Sequence, residues 1–566
     1  MNAFRNLATL AGLLLAISVG AQATPVTVTP VVGKHVMVVA GHPQAVAAGL
    51  AVLKAGGNAV DAAVATSLAL GVAEPYGSGL GGKLMLLYYD AATGRTFVVE
   101  AMDAAGSVDV PAYRQRPEAD HSYGYGAACV PGLAAGLWLA HQKWGVRAWS
   151  DDLQPAIDLA RAGFQVLPKS RDMFDEQVKK LHRGDAEIAR LYLPGGQLPE
   201  IGSKLPNPDL ARTMERLALH GRDGFYRGPV AAAIAAAAAQ GGGAITVADL
   251  ENYEAHLSEP VGIDFRGDRV LSAPPPANGA AMLLPALKAL EDDSLGGGPL
   301  RTAANLDRLG RVWRLVEPES YRVIGDAPEA RLNFERLVAP DAIRDLRAKA
   351  FGEIPRRRED AAALVPADAE SEMAATTHFI VVDAPGNIVC ATQSLSLHFG
   401  AGVVPPGTGV VLNDSMSNLE YKETKSPNYL APGRRPRSTL SPAIVFRRGR
   451  PILALGVPGA ARIPTAMLQV LLDYLVLHRP LAEAIGDTRC HFAISRKTGE
   501  GDTFEAEQSF PAAEAAAIRA LGWKVELSEP AGSGRRFGGV NAIELHPDGT
   551  RTGYADPRRT NAAEGD

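Results

Sequence analysis

The chain has 566 residues, 46% of them hydrophobic and 21% charged, with a formal net charge of −5. That balance describes a globular protein with ample core, and it excludes the basic stripe that nucleic acid demands. Three cysteines, Cys129, Cys390 and Cys490, are too few for a disulfide framework and have no metal-like spacing; they read as small buried side chains, with any single pairing left open.

The chain opens on a targeting pattern. Met1–Arg5 is a short basic start, Leu7–Val19 an apolar run, and Ala21-Gln22-Ala23 a small-residue cleavage site. This predicts a signal peptide over residues 1–23, a mature protein beginning near Thr24, and a secreted or periplasmic location. No later stretch reaches the length of a spanning helix.

Next, His42–Leu53 carries apolar residues at helical spacing and stops at Gly56-Gly57. Asn58 is placed to cap the alanine-rich helix that follows it. "GSGLGGKLMLLYYD" then imitates a phosphate loop, with Gly77, Gly82 and Lys83 at the right spacing. Such a loop needs Ser or Thr after the lysine and then a helix; here Leu84 and a β run, Leu84–Tyr89, follow, so it reads as a glycine-rich turn into a strand.

Further helices are predicted over Val130–Gly145, over Leu153–Val166, and along the alanine run that ends at Gly241-Gly242-Gly243. The segment Arg356–Ala375 is charged, poor in large apolar residues, and reads as an exposed linker. After it the character changes. Thr376–Asp383 alternates, Ala384–Asn387 is a Pro-Gly turn, and Ile388–Ser394 alternates again, which predicts a β-hairpin. If residue 383 pairs with 388, Ser394 lies opposite Thr377; a one-residue bulge would instead set it on the face of Thr376.

A threonine at such a seam gains chemistry if the chain is cut in front of it. The freed α-amino group, with a pKa of roughly 7.7–8.0, can take the proton of the same residue's hydroxyl. Nucleophile and base are then one residue, and a hydroxyl on the next strand can orient it.

The fragments "TTHFIVVDAPGNIV", "GHPQAVAAGLAVLKAGGNAVDAAVA", "VPGLAAGLW", "GFY…DLENY", "RPRSTLSP", "GVPGAARI" and "YADPRR" stand in one order between His35 and Arg559. Together they resemble the γ-glutamyltransferase family. The resemblance implies an α+β, N-terminal-nucleophile hydrolase fold: a four-layer αββα sandwich of two antiparallel sheets. It also implies a proenzyme that cleaves itself between Ala375 and Thr376. The products are a large subunit, residues 24–375, and a small one, residues 376–566, intertwined in one catalytic domain.

Carried over by position, the resemblance makes Thr376 the nucleophile and Ser394 its supporting hydroxyl. Gly459 and Ala460 match the pair whose N–H groups form an oxyanion hole, although Ala asks more of the backbone than Gly there. Ser438 and Thr439 match the hydroxyls that hold a donor carboxylate; a turn with capping hydroxyls is the competing reading. The place of a carboxylate-clamping arginine falls on Met102. The binders of the donor amino group fall on Ser396, Ser415 and Asn418, so the acidic counter-ion is missing. The stretch from Asn418 to Arg437 is short, which implies a reduced lid and favours water as acceptor.

The reading is therefore a secreted, self-processing amidohydrolase acting on a small-molecule amide, with a γ-glutamyl or related carboxyacyl donor. A glutaryl- or cephalosporin-acylase-like donor lacking the α-amino group is the alternative, and a processed but idle binding protein is a second. His378 reads as a strand residue. Arg434, Arg435 and Arg437 are candidates to attract an acidic donor, against a solvated turn for the first two. No residue group has zinc spacing and no dinucleotide fingerprint occurs, so neither metal nor cofactor is expected.

Overall fold

A computed structural model describes residues 25–117, 120–291, 295, 298–352, 374–495, 501–528 and 536–566. The signal-peptide reading, and the linker reading up to residue 373, lie outside these residues.

The hairpin forms for the reason its alternation gave. Ala374–Val382 and Ile388–Leu397 pair antiparallel. The register is Val382 with Ile388, one residue away from the expected 383–388 pairing. Asp383 is drawn into the turn instead. Its carboxylate accepts from Asn387 N at 2.8 Å and Asn387 Nδ2 at 2.8 Å. It also accepts from Ala59 N at 2.9 Å, in the first turn of the helix Ala59–Ala73. One carboxylate thus closes the turn and sits at the positive end of a helix. Asn58 completes that helix start with a capping box to Asp61, as its position predicted.

The hairpin lies at the centre of one seven-stranded sheet. Its strands run in the order Ala562–Gly565, Met37–Ala40, Ala374–Val382, Ile388–Leu397, Lys83–Asp90, Arg95–Ala101 and His256–Ser258. A second seven-stranded sheet has Arg450–Gly456 and Ala443–Arg447 near its centre. Every pairing within these two sheets is antiparallel.

Three cores fix the layers. Pro43–Lys54, Ala59–Ala73, Leu133–Trp144 and Trp149–Ala162 pack with Leu84, Leu86, Phe379 and Val381 on one face of the hairpin sheet. On its other face Met37, Val39, Met85, Leu87, Ile380 and Val382 meet Ile444, Ala454 and Ile543 of the second sheet. Beyond that sheet Gly279–Ala289, Ala303–Val323 and Arg462–Leu475 close the stack. The alternation of each strand, one residue toward helices and the next toward the partner sheet, yields the αββα order.

Candidate active site

Thr376 sits where the hairpin ladder breaks. The register shifts between Ala375 and Thr377, so a bulge re-aims the Thr376 side chain. Thr376 Oγ1 donates to the Ala375 carbonyl at 2.7 Å and lies 3.1 Å from Ser394 Oγ. Ser394 Oγ donates to the same carbonyl. Two hydroxyls thus converge on the peptide group in front of Thr376, and Thr376 itself is only 3% exposed.

The glycine-rich turn exists for close approach. A Cβ on Gly82 would stand 2.3 Å from the Ser394 carbonyl oxygen, so only glycine lets that backbone pack against the hairpin.

Behind the bulge lies a buried polar group that sequence reasoning missed. Glu74 ends the Ala59–Ala73 helix, with the Tyr76 and Thr560 hydroxyls at 3.4 and 3.3 Å from its Oε1. Burial pushes its carboxyl above the usual range, opposed by a hydrogen bond from Thr377 and the charge of Arg559. Arg559 Nη1 donates to the Thr376 carbonyl at 3.1 Å. The one signal for Glu74 was an acid closing an otherwise apolar helix.

Lys83 is the second omission. It is 1% exposed and contacts Asp103 Oδ2 at 3.4 Å, Ser396 Oγ at 2.5 Å and Ser415 Oγ at 2.7 Å. Asn418 Nδ2 reaches Ser396 Oγ at 3.0 Å. Ser396, Ser415 and Asn418 therefore do come together, around a lysine. Asp103 is held at a pKa of about 6, raised by burial and lowered by Lys83 and Ser415.

Met102 does not join them. It is fully buried in the core between the sheets, with Met85 and Leu440. Its carbonyl accepts from the Tyr253 hydroxyl at 2.5 Å. The polar residue of that segment that enters the cluster is its neighbour, Asp103.

Ser438 and Thr439 are half-buried beside the start of the Gly279–Ala289 helix: Asn278 N donates to the Ser438 carbonyl at 2.7 Å. Gly459 and Ala460 follow the Arg450–Gly456 strand, and Ala460 has φ 51°, a left-handed value that an L residue adopts at a cost. A Cβ on Gly456 would meet the His378 ring, so this segment leaves its strand beside the strand that carries Thr376.

His378 is buried against Thr392 Oγ1 at 2.8 Å, and burial pushes its pKa down to about 3, so it is a neutral strand residue. Of the three arginines, Arg437 is not a donor-attracting group: it is buried, and its guanidinium binds the Tyr321 and Ile324 carbonyls at the end of the Ala303–Val323 helix. Arg435 Nη2 binds the Glu254 carbonyl at 2.9 Å. All three cysteines are free and buried. Among the described residues one group has metal-like proximity, Asp61, His141 and Asp152. Asp61 is already engaged by the Asn58 and Val146 N–H groups and Asp152 by Arg147, which makes it an ion-pair cluster. No helix among the described residues is long and apolar enough to cross a membrane.

The Gamma-glutamyltranspeptidase family matches this sequence over residues 45–566. The chain is 34% identical to the Acylase ACY 1 proenzyme of Pseudomonas sp. (strain SE83) over 538 residues, covering 93% of this chain and 92% of that one. It is 30% identical to the Glutathione hydrolase proenzyme of Bacillus subtilis (strain 168) over 553 residues, with 94% and 92% covered. The structure is similar to that of cephalosporin acylase from Bacillus halodurans, with a TM-score of 0.83, 25% identity, and 95% and 97% of the two chains covered.

Proposed function

The chain belongs to the gamma-glutamyltranspeptidase family of N-terminal-nucleophile amidohydrolases and acyltransferases, and from that premise we propose that it matures by cutting itself before Thr376 and then hydrolyses carboxyacyl amides through an ester on that threonine. The large subunit would end at Ala375 and the small one begin at Thr376. That relatives on both sides of the acylase and glutathione-hydrolase divide are named proenzymes supports the maturation step.

One observation carries the reading: Thr376 Oγ1 and Ser394 Oγ stand 3.1 Å apart and both bind the Ala375 carbonyl. In the precursor the Thr376 oxygen adds to that carbonyl carbon, and the C–N bond to Thr376 breaks, with the nitrogen gaining a proton. Water then hydrolyses the resulting ester, which frees Ala375 as a carboxylate and Thr376 as an amine. Ser394, donating to the carbonyl oxygen, stabilises the negative charge that develops there.

In the mature enzyme the α-amino group of Thr376 takes the hydroxyl proton as the oxygen attacks a substrate amide. The same proton passes to the departing amine, and a water repeats the exchange to release the acid. The backbone N–H groups of Gly459 and Ala460 are assigned to the oxyanion, and Ser438 and Thr439 to one oxygen of the donor carboxylate. The short segment after Asn418 leaves the site open to water, which makes hydrolysis the principal reaction. A secreted or periplasmic location follows from the first 23 residues.

The test is a panel of γ-glutamyl, glutaryl and succinyl p-nitroanilides. Purified wild-type protein should release nitroaniline from at least one, and Thr376→Ala from none. Absence of release by wild type from all three would leave the idle binding protein as the better reading.

A further inference from the structure

Lys83 begins the strand Lys83–Asp90 and lies directly opposite Ser394 in the ladder, so both side chains leave the sheet on one face. Thr376, Ser394 and Lys83 therefore form a row across three neighbouring strands. A lysine so buried needs partners for all its N–H groups. It has three: Asp103, Ser396 and Ser415.

The hydrogen-bond directions then follow. Ser415 gives its own O–H to Asp103 Oδ2 at 2.5 Å. Ser396 Oγ accepts from Lys83 Nζ and from Asn418 Nδ2, which fills both of its lone pairs. Its hydrogen turns either to Ser415 Oγ, 2.8 Å away, or to a ligand. In neither position does Ser396 keep a lone pair with which to accept from a ligand. Ser396 and Asn418 are the half-buried members of the cluster, and Lys83, Asp103 and Ser415 lie buried behind them.

The front of this cluster thus offers a ligand an O–H from Ser396 and the second amide N–H of Asn418, with a buried ammonium behind. An anionic oxygen gains charge-assisted bonds there. An incoming ammonium finds no serine lone pair, only the neutral carboxamide oxygen of Asn418. Ser396 also ties the cluster to the nucleophile, since its N–H donates to Ser394 Oγ at 3.0 Å. Its φ of 79° is a strained value for serine, of the kind that the surrounding fold must enforce.

We propose that Lys83 is a positioning residue that sets donor specificity: acting through Ser396, it fits the pocket to an acyl donor that ends in a carboxylate without a neighbouring ammonium, the glutaryl class, and against the zwitterionic γ-glutamyl head. This rests on the assignment of Thr376 as the nucleophile.

The experiment compares kcat and KM for glutaryl and γ-glutamyl p-nitroanilide in three proteins. Wild type should favour glutaryl at least tenfold in kcat/KM. The double variant Lys83→Met with Asp103→Asn removes both buried charges together, which avoids an orphaned carboxylate. It should lower the glutaryl to γ-glutamyl ratio tenfold or more, through a raised glutaryl KM with kcat changed little. Asn418→Asp places a carboxylate at the half-buried front and should move the ratio the same way; it decides the matter alone if the double variant does not fold. A wild-type preference for γ-glutamyl, or ratios within twofold of wild type in the folded variants, overturns the proposal. A wild-type chain that stays uncut and hydrolyses neither anilide brings down the nucleophile assignment instead, and the proposal with it.

Discussion

Arg559 Nη1 donates to the carbonyl oxygen of Thr376 at 3.1 Å, and its charge faces the buried carboxyl of Glu74. The C-terminal end of the chain thereby holds the residue assigned as nucleophile from behind. Arg559→Leu would remove that hold. The expected loss is about 1–3 kcal/mol of unfolding free energy, the cost of leaving the buried Thr376 carbonyl without its donor. Urea denaturation measures it. A loss under about 1 kcal/mol for Arg559→Leu would mean that the carbonyl does not depend on this donor.

Ser394 is predicted to support the nucleophile without replacing it. Ser394→Ala should slow maturation by about 10²-fold, because its hydrogen bond to the Ala375 carbonyl acts there as an oxyanion donor, and should slow turnover by removing the hydroxyl that orients Thr376 Oγ1. Ser394→Thr keeps the hydroxyl and should retain most activity. Equal rates for wild type and Ser394→Ala, read by stopped assays on fully matured protein, would contradict the role.

Stability should fall in acid. Burial pushes the His378 pKa to about 3 and that of His42 to about 4, and holds His491 well below its usual value. Each imidazole binds a proton in the unfolded chain below about 6.5 and resists one when folded, so its contribution is whole above pH 6.5 and declines as the pH drops. At pH 5 the cost is about 2 kcal/mol each for His378 and His42. In His378→Gln the difference in unfolding free energy between pH 7 and pH 5 should shrink by about that amount, whatever the variant loses at pH 7. An unchanged difference would show that His378 titrates normally.

Ala460 holds a left-handed backbone at φ 51° in the segment assigned to the oxyanion. Ala460→Gly relieves about 1–2 kcal/mol of strain and returns part of it as chain entropy. The expected net gain is roughly 0.5–1 kcal/mol in thermal or urea unfolding, with kcat/KM not lowered, because the N–H stays. A destabilised Gly variant would mean that the alanine methyl packs productively.

Much of this fold was legible. The apolar spacing of residues 42–53, the Asn58 cap, and the alternation on either side of Pro385-Gly386 each stated a local physical need that the structure meets. Of the two registers the alternation left open, the one with a bulge beside Thr376 forms, and the ladder begins at 382–388 because Asp383 serves the turn and the Ala59 helix start at once, a long-range use that no short window shows. Lys83 was read as the tail of a spurious phosphate loop. What it signalled was a single charge at the head of an apolar strand, a group that burial obliges to find partners, and those partners lie 20, 313 and 332 residues away. Met102 was placed by position along the chain, whereas strand alternation puts Met102 in the core and Asp103 in the cluster.

The account stands most directly on the bond between Ala375 and Thr376. N-terminal sequencing of the fragments in purified wild-type protein, beside Thr376→Ala prepared in parallel, tests it. Wild type should resolve into two chains, the smaller beginning Thr376-Thr377-His378, while Thr376→Ala remains one chain. A wild-type chain still intact after prolonged incubation, or a small fragment with any other first residue, would contradict it.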